Sequence, residues 1–186
     1  MSGFKRKLME NQAQLTAWGI DKSHTSINFT ITHFMIARVK GQFTEFSGTL
    51  STPSDDFDGA EIDLTIEAAS ISTNDVNRDN HLKTADFLDV ASHPQIRFAS
   101  TAFRHLGDNQ YAIDGLLTVN GIEKPNTLHA SYSGQFQHPV YKNTIAYFEV
   151  QANIPRLDFT IGASYPAAVL GEVVKLNSTL ELVRQA

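Results

Sequence analysis

The sequence predicts an all-β fold, an eight-stranded antiparallel barrel with one short helical insert, from three observations. Apolar residues recur at every second position in one segment after another, the mark of strands with a single buried face. Several of these segments are separated by residues that tolerate positive φ, as tight hairpins require. One stretch alone, Asn74 to Val90, changes to helical spacing.

Taken in order, Ile27, Phe29 and Ile31 alternate with Asn28, Thr30 and Thr32, and Val39 to Leu50 reads as a second strand. Gly41 and Gly48 within it suggest bulges or bends. Ile62, Leu64 and Ile66 then face away from Glu61, Asp63 and Thr65, and Gln95 to Phe103 forms a strand of weaker alternation. Tyr111, Ile113, Leu117 and Val119 make the next inward set, with Gly115 among them. Leu128, Ala130, Tyr132 and Phe136 follow, then Ala146, Phe148, Val150, Ala152 and Ile154, and finally Val174, Leu176, Leu180 and Leu182. Asp58-Gly59 and Gly107-Asp108-Asn109 are turn signals, and Pro155, which cannot donate to a ladder, should end its strand. In the insert, Asn74 or Asp75 is placed to cap a helix, Leu82, Ala85 and Leu88 give its apolar stripe, and His93-Pro94 stops it.

Residues 1–16 read as a polar arm and residues 17–184 as the barrel domain. Lys5-Arg6-Lys7 is followed by Glu10 and three amides where a secretory leader needs an apolar run. The expectation is a cytoplasmic protein, or a periplasmic one if a leader has been removed. No apolar run approaches the length of a membrane-spanning helix. A net charge of -5 without a basic stripe argues against a nucleic-acid partner.

The chain has no cysteine, which removes thiolate nucleophiles and Cys-based metal sites. Its seven histidines include no His-x-His or His-Glu-x-x-His spacing. His24 and His33 are candidates to meet Asp21 near one rim, in a hydrogen-bonding role. No nucleophile elbow and no phosphate loop occurs. The expectation is a chain without catalytic residue, metal or cofactor.

Positive evidence lies in the inward sets. Phe29, Ile31, Ile62, Leu64, Ile66, Ile113, Leu117, Ala130, Tyr132, Ala146, Phe148 and Val150 would line the lumen. Eight strands either fill with side chains or hold one small ligand. Small residues facing large ones would leave an elongated gap, but alternation equally describes a tightly packed core.

Several motifs in order resemble the YceI family. They are Trp18-Gly19-Ile20-Asp21, Val39-Lys40-Gly41-Gln42-Phe43, Arg78-Asp79-Asn80-His81-Leu82, His93-Pro94-Gln95-Ile96-Arg97-Phe98, Gly115-Leu116-Leu117-Thr118-Val119-Asn120-Gly121 and Pro155-Arg156-Leu157-Asp158-Phe159. The similarity spans about Ala17 to Val183, with departures at Asn126, Pro155 and Thr160, the last standing where the family often has Gly. The resemblance implies a lipocalin-like up-and-down barrel that binds or carries a polyisoprenoid or another long-chain amphiphile such as a fatty-acyl compound. A quinone carrier, or a small hydrolase or isomerase acting on such a lipid, is the alternative, and a homodimer is left open. On this reading Arg78, His81 and Lys83 would meet a head group at the mouth, while Leu82, Phe87 and Leu88 belong to a lid.

Overall fold

The computed structural model describes residues 15–185. Eleven strand segments occur: β1 (Thr16–Ile20), β2 (Ser26–His33), β3 (Ala37–Phe43), β4 (Phe46–Thr52), β5 (Glu61–Glu67), β6 (Ile71–Ser72), β7 (Gln95–Gly107), β8 (Gln110–Val119), β9 (Ile122–Gln137), β10 (Thr144–Pro155) and β11 (Val173–Arg184). All pairings are antiparallel. The eleven segments make eight barrel positions, because three strands are interrupted. β11 pairs with β2 through Thr179↔Ser26 and with β1 through Leu182↔Ile20, so β1 and β2 are one strand broken at Asp21–Thr25. The same holds for β3 with β4 and for β5 with β6. The β1–β11 ladder closes the barrel.

Most expected strands appear. Gly107↔Gln110 closes the β7–β8 hairpin over Asp108 and Asn109, both at positive φ. β10 ends at Pro155. Thr160, in the position where the family often has Gly, has φ 57, which is the conformation Gly adopts without strain.

Other expectations are corrected. Gly41 and Gly48 mark no shift of register. A Cβ on Gly41 would stand 2.3 Å from Phe29 Cζ, so this glycine seats a ring flat on the sheet. Gly115 does the same for Phe98, at 2.4 Å. Phe136 is exposed rather than inward, because a bulge between Tyr147 and Phe148 shifts the β9–β10 register and turns the residues beyond it to the other face. The helix is only α1 (Val76–Leu82), capped by Asp75, whose carboxylate accepts from the Arg78 N–H. Residues 83–92 form turns, and Ala85 is exposed, so the inner stripe is Leu82, Phe87 and Leu88. The polar arm expected at 1–16 lies outside the described residues up to Gln14, and Thr16 already begins β1. Among the described residues no helix is long and apolar enough to cross a membrane.

Candidate functional site

The barrel's two halves are built differently. At the end holding the β4–β5, β7–β8 and β9–β10 connections, aromatic rings fill the lumen. The β4–β5 loop folds inward and buries Phe57 completely. Its ring lies 5.2 Å from Trp18, 5.4 Å from Tyr132 and 5.1 Å from Phe148, and Phe148 in turn meets Phe103 and Tyr111. Phe57 holds φ 61. Such a conformation costs a bulky residue about 1–3 kcal/mol, which full burial of a Phe offsets by a similar amount. The Tyr111 hydroxyl donates to the Asp56 carbonyl and ties the loop down. Burial pushes the Tyr111 and Tyr132 phenols above their ordinary pKa, so both are neutral members of the plug.

The other half holds an apolar cavity of about 210 Å³. Phe29, Ile31, Ile62, Leu64, Ile66, Ile113, Leu117 and Val150, all expected in the lumen, line it. Phe43, Phe98, Leu176 and Leu180 join them. Ala130, Tyr132, Ala146 and Phe148 point inward but belong to the plug, so their small and large side chains interlock and leave no gap. No charged side chain lines the cavity among the described residues. Its polar exceptions are hydroxyls beside the break between β1 and β2: Thr25, Ser26, Ser178 and Thr179. Ser26 and Thr179 bond each other at 2.9 Å, and Thr25 pairs with the Glu181 backbone. Ser178 Oγ is buried with no partner among the described residues, between Ile27 and Val150 on the flanking strands.

Outside that break, His24 Nδ1 lies 3.1 Å from Asp21 and 3.5 Å from Glu181. The hydrogen bond to Asp21 raises the His24 pKa, with Glu181 adding to it, and the same bond lowers that of Asp21. His33 does not join this cluster. Eight residues of β2 carry it to the opposite end, where its ring lies tilted against Phe34 at 4.1 Å.

Two segments cover the cavity's far end. Leu82, Phe87 and Leu88 come from the α1 segment, and Ile161 and Leu170 from the β10–β11 connection. They are fastened together: Gly162 N–H donates to the Asp86 carbonyl at 2.8 Å, and Asn120 Nδ2 donates to the carbonyls of Phe87 and Phe159. The cations expected at a mouth are not aimed at the cavity. Arg78 bonds Thr73 Oγ1 at 2.7 Å and the Thr73 carbonyl at 3.0 Å, while Asp79 accepts from the same residue. His81 faces Asp86 at 3.3 Å, and Lys83 lies outside the lining. Arg78 and Asp79 are therefore struts that pin α1 to Thr73, just after β6, and Arg78 is not held out for a head group.

Sequence reasoning also missed the work of Arg156, only 1% exposed. Its guanidinium donates to the carbonyls of Ile161, Gly162, Tyr165, Leu170 and Gly171 at 2.6–3.1 Å. One side chain thus folds the whole β10–β11 connection into a cover. The available signal was an arginine preceding the uncharged run from Phe159 to Gly171.

The family model described as YceI-like domain matches residues 18–182. Protein YceI of Salmonella newport is 36% identical over 168 residues, covering 89% of this chain and 86% of that protein. The crystal structure of Campylobacter jejuni YCEI protein superposes with a TM-score of 0.76 at 28% identity, over 89% of this chain and 96% of the other. A polyisoprenoid binding domain from Saccharophagus degradans, implicated in plant cell wall breakdown, shares the fold at a TM-score of 0.64 and 14% identity, over 91% of this chain and 99% of that one.

Proposed function

The chain belongs to the YceI-like family, and from that premise we propose that it binds a neutral, long-chain amphiphile, a polyisoprenoid or a related lipid, and sequesters or carries it without converting it. The observation that carries this reading is the cavity itself: a space of about 210 Å³ walled by aliphatic and aromatic side chains, with hydroxyls as the only polar lining groups among the described residues. Among the described residues the wall presents no titratable group to polarise a bond, which favours holding over chemistry. The Saccharophagus degradans domain of the same fold is a polyisoprenoid binding domain, in keeping with this assignment.

Magnitudes bear on the fit. Each buried methylene contributes roughly 0.8 kcal/mol, and a cavity of about 210 Å³ takes on the order of seven or eight carbons, given that ~150 Å³ takes benzene. That supplies about 6 kcal/mol before ordering costs, below the roughly 8 kcal/mol that micromolar affinity requires. Tight binding of a longer chain therefore requires the space to widen or the rest of the tail to lie outside it. Phe29, Leu64, Ile66, Ile113 and Leu117 would grip the tail, and Ser178 with its neighbouring hydroxyls would receive an uncharged hydrogen-bonding head. On this reading the head lies at the interrupted strand and away from Arg78.

Organic extraction of the purified protein followed by mass spectrometry tests the reading. A prenyl or acyl species in near-stoichiometric amount is the expected result. A clean extract, with no uptake of an added fluorescent prenyl alcohol, would overturn it. Recovery of a shortened or isomerised probe after incubation would replace the carrier with an enzyme.

A further inference from the structure

The β2–β3 turn places three large apolar side chains in a row on the outside of the barrel. Phe34 is 57% exposed, Met35 73% and Ile36 91%. The backbone holds them out at a cost, since Phe34 and Met35 have φ 47 and 62, in the region that bulky residues avoid. Phe57 tolerates the same conformation because its ring is wholly buried; Phe34 and Met35 gain no such burial among the described residues.

What surrounds this tip narrows its partner. Phe34 N–H donates to the Val169 carbonyl at 3.0 Å, and His33 bridges to Leu170, so the tip lies beside the cover connection. From Phe159 to Gly171 that connection has no charged residue, and Ala167 and Ala168 are exposed on it. Behind the tip the outer face turns basic. Arg38 stands opposite Thr32, and Thr30 lies between Lys40 on one side and Lys175 on the other. None of the three cations has an ion-pair partner among the described residues, on a chain whose net charge is -5. Arg38 and Lys40 follow Ile36 by on the order of 7 and 13 Å at strand spacing. An apolar wedge backed at that depth by cations matches the layering of a bilayer, acyl chains below and acidic head groups above. A second copy of the chain is a poorer fit, because three protruding side chains fall well short of the roughly 800 Å² per partner of a stable dimer.

The tip is also continuous with the cavity. Ile31, three residues before Phe34, and Leu170, next to Val169, both line it. We propose that the Phe34-Met35-Ile36 turn inserts into the surface of a membrane containing acidic lipids and docks the covered end of the barrel there, so that cargo passes between bilayer and cavity. The docking is read from the tip and its cations, and the transfer rests on the cavity being a lipid site.

The test uses vesicles of phosphatidylcholine with and without phosphatidylglycerol. The chain has no cysteine, so Met35→Cys offers a single attachment point for a polarity-sensitive dye. Its emission should shift to the blue on adding the acidic vesicles and should not with phosphatidylcholine alone. The triple change Phe34→Ser, Met35→Ser and Ile36→Ser should weaken co-sedimentation more than tenfold. Arg38→Gln, Lys40→Gln and Lys175→Gln should each weaken it about fivefold. The serine variant should still take up a prenyl alcohol added from ethanol, but receive it from vesicles more slowly. An unshifted dye, or a serine variant that sediments like the parent, would overturn the docking. Loss of a concentration-dependent dimer in the serine variant, with no vesicle binding by the parent, would assign the tip to a second copy instead. Vesicle binding without uptake of the prenyl alcohol would leave the docking standing and remove the carrier reading alone.

Discussion

The two halves of the lumen are lined from the same strands, yet one is packed solid and the other hollow. In β10, Phe148 sits among four rings of the plug, while Val150, the next inward residue, lines the cavity. The difference comes from a loop. Phe57 arrives from the β4–β5 connection and completes the aromatic cluster, whereas the covering segments at the opposite end present only Leu82, Phe87, Leu88, Ile161 and Leu170 to the rim of the space. Strand pattern makes a barrel apolar inside; what folds over each end decides whether it is full.

Truncation should show the contrast most strongly. Phe148→Ala removes a ring from a filled cluster and should cost about 3–5 kcal/mol, lowering Tm by roughly 10 °C for a chain of this size. Leu64→Ala, in a wall that already borders space, should cost less than about 2 kcal/mol, because fewer contacts are lost. Thermal unfolding of both variants measures the difference, and equal losses would mean that the hollow half closes in solution. Enlargement is the next effect in size and reverses the order of function and stability. Ala146→Leu forces a larger group into the plug and should destabilise by about 1–3 kcal/mol, leaving probe binding nearly unchanged. Leu117→Phe should be close to neutral in stability and should weaken uptake of the prenyl probe by roughly tenfold. If Leu117→Phe binds like the parent, the cavity is not where the tail resides.

The barrel was legible in the sequence because period-two alternation records which face each residue takes. It does not record height along the barrel axis. Alternation therefore predicts Ala130, Tyr132, Ala146 and Phe148 inward, as found, but gives no reason to separate them from the cavity wall, where they do not lie. Height depends on register and on a phenylalanine hidden in the polar run Ser54-Asp55-Asp56-Phe57-Asp58-Gly59, which reads locally as a solvated loop. The three strand interruptions carry no local proline signal and become visible only when one partner strand is seen to pair across them. Arg78 and Arg156 were beyond pattern reasoning for a related reason. Each is a charged residue whose partners, Thr73 and the carbonyls of the cover, are brought to it by the tertiary fold.

A smaller effect concerns the buried Ser178 hydroxyl of the hollow half, which has no partner among the described residues. Ser178→Ala removes that unpaired Oγ and adds no bulk to the wall. An unsatisfied buried group costs about 1–3 kcal/mol, so the empty protein should gain stability. If a ligand head bonds Ser178, affinity for a prenyl alcohol should fall by about three- to tenfold, while affinity for the corresponding hydrocarbon stays the same. Equal affinities for alcohol and hydrocarbon in both proteins would move the head elsewhere.

The smallest expected effect lies just outside that hydroxyl set, where His24, Asp21 and Glu181 clasp the break between β1 and β2. The His24 pKa is raised above its ordinary 6.5, so its contribution is complete below 6.5 and is lost as pH climbs through the raised value. That of Asp21 is lowered below 3.8, so its contribution is complete above 3.8 and is lost as pH falls through the lowered value. The clasp therefore contributes fully between these two pH values and fades on both sides. His24→Asn should lower Tm slightly within this window and not at all well above it, since exposed pairs of this kind contribute little. Titration followed by proton NMR should find His24 above its ordinary pKa in the parent and closer to it in Asp21→Asn. The hollow half gives the clasp a further readout, because it borders the hydroxyls that would hold a ligand head. If release of a bound prenyl alcohol quickens as pH rises through the His24 transition, the interrupted strand takes part in exchange. A release rate flat across that transition would confine exchange to the covered end.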